Sequence, residues 1–284
     1  MKNKRTMFGI TVLAAVIGFA MTSCPNGDDD GGGKTFLGNA LELSGQVYME
    51  KYTDTGIINY EKYTGNLNIR EYDGGSGSIT EGQFNYTIGE PTYLAMFDDL
   101  SDMFYEWDNV KSGNPNAKGT MLSDIDIVNS SDYDALNRGN TKAKTSVNSY
   151  SGTTESVMYV YVDDNITISG TGKTEPYLND EDGYIYSDTT TTKNFSLALK
   201  KGWNAVYTKT VTKGTFTTAA TTATTKYTST VTMSLGNPNL KWILSEKSYN
   251  ASVLAPPQRS LSGAPAVGNF RYKAFNRIRR RVGN

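Results

Sequence analysis

From Leu41 onward the apolar residues fall on every second position, and that period constrains the fold more than any other feature of the chain. Leu41, Leu43, Val47 and Met49 alternate with Glu42, Ser44, Tyr48 and Glu50. Successive side chains of an extended backbone point to opposite faces, so the pattern predicts a strand with one face buried. The same reading predicts strands over 63–71, 82–88, 121–128, 165–170, 183–189, 195–199, 203–211, 228–235 and 240–244. Ser156–Val162 is apolar on both faces, as a fully buried strand is. Between strands lie turn-rich pieces such as Asp73-Gly-Gly-Ser-Gly-Ser78, where glycine supplies positive φ without strain.

Residues 208–232 contain thirteen Thr among twenty-five, with Ala219-Ala220 near the midpoint. β-branched Thr favours strands, so a long exposed hairpin is expected, and a Thr-rich disordered spacer is the alternative. One segment departs from the period of two. Phe97, Leu100, Met103, Phe104 and Trp107 recur at helical spacing, with Asp98, Asp99, Asp102, Glu106 and Asp108 on the other faces. Thr92 after Pro91 can cap it, which predicts an amphipathic helix over 92–109 with a solvated acidic face. The fold class expected is mainly β: one or two antiparallel β-sandwich modules with one short amphipathic helix.

The N-terminus reads differently. Lys2, Lys4 and Arg5 precede a 15-residue apolar run from Met7 to Met21, too short to span a bilayer and shaped like a secretory signal peptide. Met21-Thr22-Ser23-Cys24 follows, with the only Cys of the chain after small residues. This resembles a bacterial lipobox, in the looser form typical of spirochaetes because Met21 stands where Leu is usual. The resemblance implies cleavage before Cys24 and lipidation of its sulfur, and an ordinary signal peptide with an incidental Cys is the alternative. Pro25-Asn-Gly-Asp-Asp-Asp-Gly-Gly-Gly33 then reads as a flexible tether. Two or three acyl chains on one Cys anchor stably, since each buried methylene contributes about 0.8 kcal/mol.

The organisation expected is a lipoprotein signal peptide at 1–24, a Gly/Asp tether at 25–38 and a β-sandwich-like domain at 39–129. A linker follows at 130–156, then a second β-rich domain at 157–249 and a basic tail at 250–284. The tail carries seven basic side chains and no acid, so residues 1–249 carry a formal charge of −8. Without the leader the body reaches −11, which repels nucleic acid phosphates and leaves only the tail able to bind them. A genuine basic tail could also touch anionic lipid or glycan, and an out-of-frame C-terminus is the alternative.

Composition removes most catalytic chemistry. With no His there is no Ser-His-Asp triad, no Cys-His dyad and no imidazole metal ligand. With one Cys there is no intrachain disulfide and no thiolate zinc site. Thr167-Ile-Ser-Gly-Thr-Gly-Lys-Thr174 ends like a phosphate-binding loop, but Thr167 replaces the first Gly and Glu175-Pro176 stands where a helix must start. Asn179-Asp-Glu-Asp-Gly183 lacks the spacing of an EF-hand; Asp180 and Asp182 with Asp163 and Asp164 are weak candidates for an irregular calcium site, and a solvated acidic turn is the bland reading. A carboxylate pair for sugar hydrolysis does not stand out from surface charge. The 19 Tyr could stack on sugar rings, although Tyr suits sheets for packing alone, and Trp107, Trp203 and Trp242 each sit inside an apolar pattern.

Two resemblances remain. Leu43-Ser-Gly-Gln-Val-Tyr48, Tyr63-Thr-Gly-Asn-Leu-Asn-Ile69 and Gly77-Ser-Ile-Thr-Glu-Gly-Gln-Phe-Asn-Tyr86 together look like a carboxypeptidase regulatory-like (transthyretin-like) β-sandwich. Lys201-Gly202-Trp203-Asn204 is similar to a strand turn of surface β-sandwiches; with the leader and Asn237-Pro-Asn-Leu-Lys-Trp242, the chain resembles spirochaete-type lipoproteins. That likeness implies an anchored, β-rich envelope protein, on the outer membrane at its surface or periplasmic face, with no catalytic residues and no cofactor. The function expected is a non-catalytic binding or structural role. Its partners would be the membrane through Cys24 and a glycan or protein ligand, with no nucleic acid. An accessory carbohydrate- or calcium-binding lipoprotein is the alternative, and a carboxylate-dependent hydrolase is the least favoured.

Overall fold

Alternating apolar positions become strands throughout. The computed structural model describes residues 34–52, 58–71, 73–96, 107–146, 148–181, 184–218 and 223–246. The chain divides into two units, Met1–Gly31 and Gly32–Asn284, and every described residue belongs to the second. Its first strands are β1 (Phe36–Gly38), β2 (Leu41–Tyr52), β3 (Ile58–Lys62), β4 (Leu67–Ile69), β5 (Ser76–Thr80), β6 (Gln83–Ile88) and β7 (Ala95–Met96). Next come β8 (Asp108–Ser112), β9 (Lys118–Leu122), β10 (Asp124–Val128), β11 (Tyr133–Thr145), β12 (Ser149–Val162) and β13 (Ile166–Thr171). The last are β14 (Thr174–Glu181), β15 (Tyr184–Thr192), β16 (Phe195–Leu199), β17 (Gly202–Thr218), β18 (Ala223–Leu235) and β19 (Lys241–Glu246).

Seven strands close a ring in the order β10-β4-β5-β6-β2-β19-β11, because β10 pairs with β11 as well as with β4. Closure removes the unpaired edges that an open sheet would expose. The ring is filled by alternate side chains: Leu41, Leu43 and Val47 of β2, Ile79 of β5, Phe84, Tyr86 and Ile88 of β6, Leu136 of β11 and Trp242 and Leu244 of β19. Phe84 and Trp242 lie 4.6 Å apart between ring centres. Glu81 (φ 50°) and Gly82 (φ 74°) form the two-residue turn between β5 and β6, a conformation matched to the strand twist. Gln46 Nε2 donates to the carbonyls of Tyr63 and Gly82 at 3.0 and 3.1 Å, holding that turn to the rim of the ring.

A second core lies on the far face of β12, β17 and β18. There Val160, Val162, Val206, Val231 and Met233 meet Ile166, Ile168, Phe195, Leu197 and Leu199 of a three-stranded sheet, β16-β13-β8. The alternation within β12 and β17 explains both layers: Tyr159, Tyr161, Trp203 and Ala205 point to the first core, while Val160, Val162 and Val206 point to the second. Each tryptophan is buried and its indole N–H is satisfied. Trp107 donates to Lys193 O (2.8 Å), Trp203 to Gly89 O (3.0 Å) and Trp242 to Ser44 O (3.0 Å).

The mainly β expectation holds, and three details differ. The antiparallel sandwich modules expected give way to a closed ring with a layered extension, and β19–β2 and β15–β18 pair in parallel. The helix over 92–109 is not seen where its ends are described: β7 pairs with β9, β8 begins at Asp108, and Trp107 packs edge-on against Phe195 at 5.2 Å. Residues 97–106, which hold most of the helical spacing, lie outside the described residues. Residues 130–156, expected as a linker, carry β11 and the first half of β12 in strand. Leu136 still enters the ring, and beyond Gly139 the stretch leaves the cores behind, so its Ser, Thr, Asn and Gly show no apolar period.

Candidate functional site

Beyond the two cores the ends of β11, β12, β17 and β18, with β15 and β14, continue as a sheet rich in threonine. The hairpin expected over 208–232 is there: β17 and β18 pair from Val206↔Leu235 to Thr218↔Ala223. Because strand register is fixed, the two faces can be read residue by residue. Tyr150, Gly214, Tyr227, Asp188 and Tyr177 stand in one row across five strands, on the face that continues the second core. Phe216 and Tyr186 stand one row further out on the same face.

The rings of this face form a connected cluster. Tyr227 sits 5.9 Å from Tyr150, 5.9 Å from Phe216 and 5.7 Å from Tyr186, and Tyr186 is 6.0 Å from Tyr177. Gly214 makes the packing possible: a Cβ there would stand 2.6 Å from the Tyr227 ring. Tyr150 and Tyr227 are buried, Tyr186 is half-buried and Tyr177 is exposed, so the cluster opens outward along the row. Asp188 lies in the row between Tyr227 and Tyr177, and its Oδ1 is buried without a hydrogen-bond partner. Burial pushes the Asp188 carboxyl above its usual range, against the lowering effect of a backbone hydrogen bond from Thr189. An exposed tyrosine beside a second ring and a carboxylate suits a sugar, which offers a C–H face and hydroxyl donors.

The carboxylates singled out in sequence have local work. Asp163 Oδ1 accepts the Lys118 backbone N–H at 2.8 Å. Asp164 accepts the Asn165 N–H at 2.7 Å and the Asn114 side-chain amide at 3.2 Å. Among the described residues no three acidic side chains gather as a metal site. Asp180 belongs to β14, while its side chain, Asp182 and the lipidation candidate Cys24 lie outside what is described. The segment 167–174 is strand β13 and a turn, with strand β14 following where a phosphate-binding loop has its helix.

One recess of about 220 Å³ is lined by Arg70, Tyr86, Met121, Ser123, Asp124 and Asp126. Arg70 and Asp126 form an exposed ion pair at 3.3 Å across its edge. That volume is below the few hundred Å³ typical of sites that enclose an organic ligand.

Sequence reasoning noted the abundance of tyrosine without placing it on one face. The available signal was the spacing of Tyr150, Gly214 and Tyr227 on strands whose register no local pattern reveals. No known protein family, curated protein or solved structure matches this chain.

Proposed function

We propose that this chain is a lipid-anchored cell-envelope protein of spirochaete type, with the β-rich body serving a non-catalytic binding or structural role. The observation that carries the reading is Met21-Thr22-Ser23-Cys24 directly after a basic, apolar leader and before a Gly/Asp tether, with no other Cys in the chain. Mass spectrometry of the N-terminal peptide from membranes of a bacterial host tests it. The expected peptide begins at Cys24 and bears a diacylglyceryl group, and Cys24→Ser yields a chain without lipid. A mature N-terminus elsewhere, with an unmodified Cys24 thiol, overturns the reading.

A second reading, an accessory carbohydrate-binding lipoprotein, is favoured by Tyr177 and Asp188 in one row with the Tyr186 ring beside them in the next. Its test is Tyr177→Ala: retention on neutral polysaccharide resins falls if the row stacks sugar, and stays at the wild-type value if it does not. The calcium form of this reading rests on Asp163, Asp164, Asp180 and Asp182. It requires the melting temperature to rise with calcium and fall again with EDTA.

A further inference from the structure

The face of the threonine-rich sheet opposite the tyrosines is cationic. Lys144, Ser151, Lys213 and Thr228 form one row across β11, β12, β17 and β18. One row inward stand Lys142, Thr153, Val211 and Thr230, and the row beyond that sets Lys209 against Glu155. One row outward stand Ser149, Thr215 and Lys226. Five lysines thus share one face, and Lys142, Lys144, Lys213 and Lys226 are exposed.

Strands lie about 4.8 Å apart and same-face neighbours about 7 Å apart along a strand. By that spacing the backbones of Lys144 and Lys213 are about 10 Å apart, with Lys142 and Lys226 about 7–8 Å from one or the other. None of the five lies within ion-pair distance of a carboxylate among the described residues. Glu155, the acid in these rows, is engaged elsewhere: it accepts the Tyr207 hydroxyl and, at 3.3 Å, the Asn140 amide. No two of the lysines are direct cross-strand partners, so they stand as separate, unneutralised positive sites that a counter-charged ligand can engage one by one. The acidity of the rest of the body does not cancel the patch, since fields between exposed charges fade over about 8 Å at physiological salt.

We propose that this lysine and threonine face binds a linear polyanionic glycan, one bearing sulfate or carboxylate groups along its length. Lysine is a compact point charge suited to isolated anionic groups, and the interleaved Ser151, Thr153, Thr215, Thr228 and Thr230 hydroxyls match sugar hydroxyls. The rows hold no exposed aromatic side chain on which bases would stack, which disfavours single-stranded nucleic acid. The inference deepens the binding role proposed above by naming its ligand class.

The full chain, extracted in detergent, is applied to immobilised heparin and eluted with salt, and its affinity is measured in solution. Replacing Lys144, Lys213 and Lys226 by Gln is expected to weaken binding roughly tenfold or more and to flatten its salt dependence. Replacing Lys51, Lys111 and Lys118 by Gln, which changes net charge equally, is expected to leave it within about twofold of wild type. Replacing Arg279, Arg280 and Arg281 by Gln separates the tail from the face. Equal loss from both lysine triples, loss from the tail variant alone, or equal displacement by single-stranded DNA at matched charge overturns the proposal. Uronate polysaccharide used as competitor tells carboxylate from sulfate recognition. Lipidation is read independently, so a chain that binds heparin but lacks lipid refutes only the anchor, and the reverse refutes only the face.

Discussion

The side chain of Asn204 closes a ring on the backbone of Lys200: its Oδ1 accepts the Lys200 N–H at 3.0 Å and its Nδ2 donates to the Lys200 carbonyl at 2.7 Å. Nδ2 also reaches the Gly202 carbonyl at 2.8 Å. Gly202 has φ of 107°, and a Cβ there would stand 2.6 Å from the Gly38 carbonyl oxygen. The Lys-Gly-Trp-Asn sequence is thereby explained: Gly202 turns the chain, Trp203 enters the first core and Asn204 satisfies the polar groups that the turn leaves behind.

Asn204 is 2% exposed, so removing its amide strands buried backbone groups rather than returning them to water. Asn204→Ala is expected to lower stability by about 1–3 kcal/mol, read as a shift in urea midpoint. Asn204→Asp keeps the acceptor, loses the donor and buries a charge, and is expected to be worse at pH 7 than Asn204→Ala. An Asp variant as stable as wild type at pH 7 would show that the turn is not held this way.

Gly45 supports the ring by leaving room for an indole. A Cβ at Gly45 would lie 2.9 Å from Trp242 Cδ1, and Trp242 is pinned by its bond to Ser44 O and by Phe84. Gly45→Ala is expected to cost about 1–3 kcal/mol, through overpacking and through the φ of 152° that a side chain rarely adopts. Gly89→Ala is the control, because a Cβ there meets nothing within 4 Å. Equal urea midpoints for the two variants would mean that Trp242 can move aside.

Much of this was written in the chain, and the misses have physical causes. Leu41, Leu43 and Val47 announce β2, and the threonine-rich run over 208–232 announces the pairing of β17 with β18, because local period and β-branched residues carry those features. Closure of the ring is invisible locally. It depends on β10 meeting both β4 and β11, contacts between segments whose patterns would serve an open sheet equally well. Residues 130–156 show no apolar period because their far halves form a sheet with lysine and threonine on one side. Trp107 fits helical spacing with residues 97–104, yet it is 6% exposed in the second core at the start of β8. The candidate faces escaped notice because lysines 142, 144, 209, 213 and 226 come from three strands whose register only pairing sets.

Asp188 should weaken the fold at neutral pH. Its carboxyl sits above the unfolded value of 3.8, with burial the larger cause, so folding favours the protonated form. A pKa raised on folding stabilises fully below the unfolded value, and that contribution is lost as pH rises through the folded one. Asp188→Asn is therefore expected to raise the urea midpoint at pH 7 and to leave it unchanged near pH 3, where both states of the wild type are protonated. A midpoint that falls at pH 7 would show that the ionised carboxylate makes a favourable contact in the row.

Tyrosines set the opposite limit. Burial, with Glu90 and Asp163 nearby, pushes Tyr161 up to about 12, and burial ahead of Glu155 raises Tyr207 as well. Burial also raises Tyr63, Tyr86, Tyr133 and Tyr159 above the unfolded value of 10.0, in Tyr159 against the opposing Arg138 guanidinium 2.6 Å from its hydroxyl. Below pH 10 these groups are neutral in both states, and their contribution is complete. As pH rises from 10 toward 12 the unfolded chain releases protons that the folded chain retains, so stability drains away across that window. Urea midpoints measured from pH 8 upward are expected to stay level to about pH 10 and then fall. Tyr161→Phe removes one ionising group and should make the fall shallower. Equal slopes for wild type and Tyr161→Phe would mean that Tyr161 ionises in the folded chain as readily as in the unfolded one.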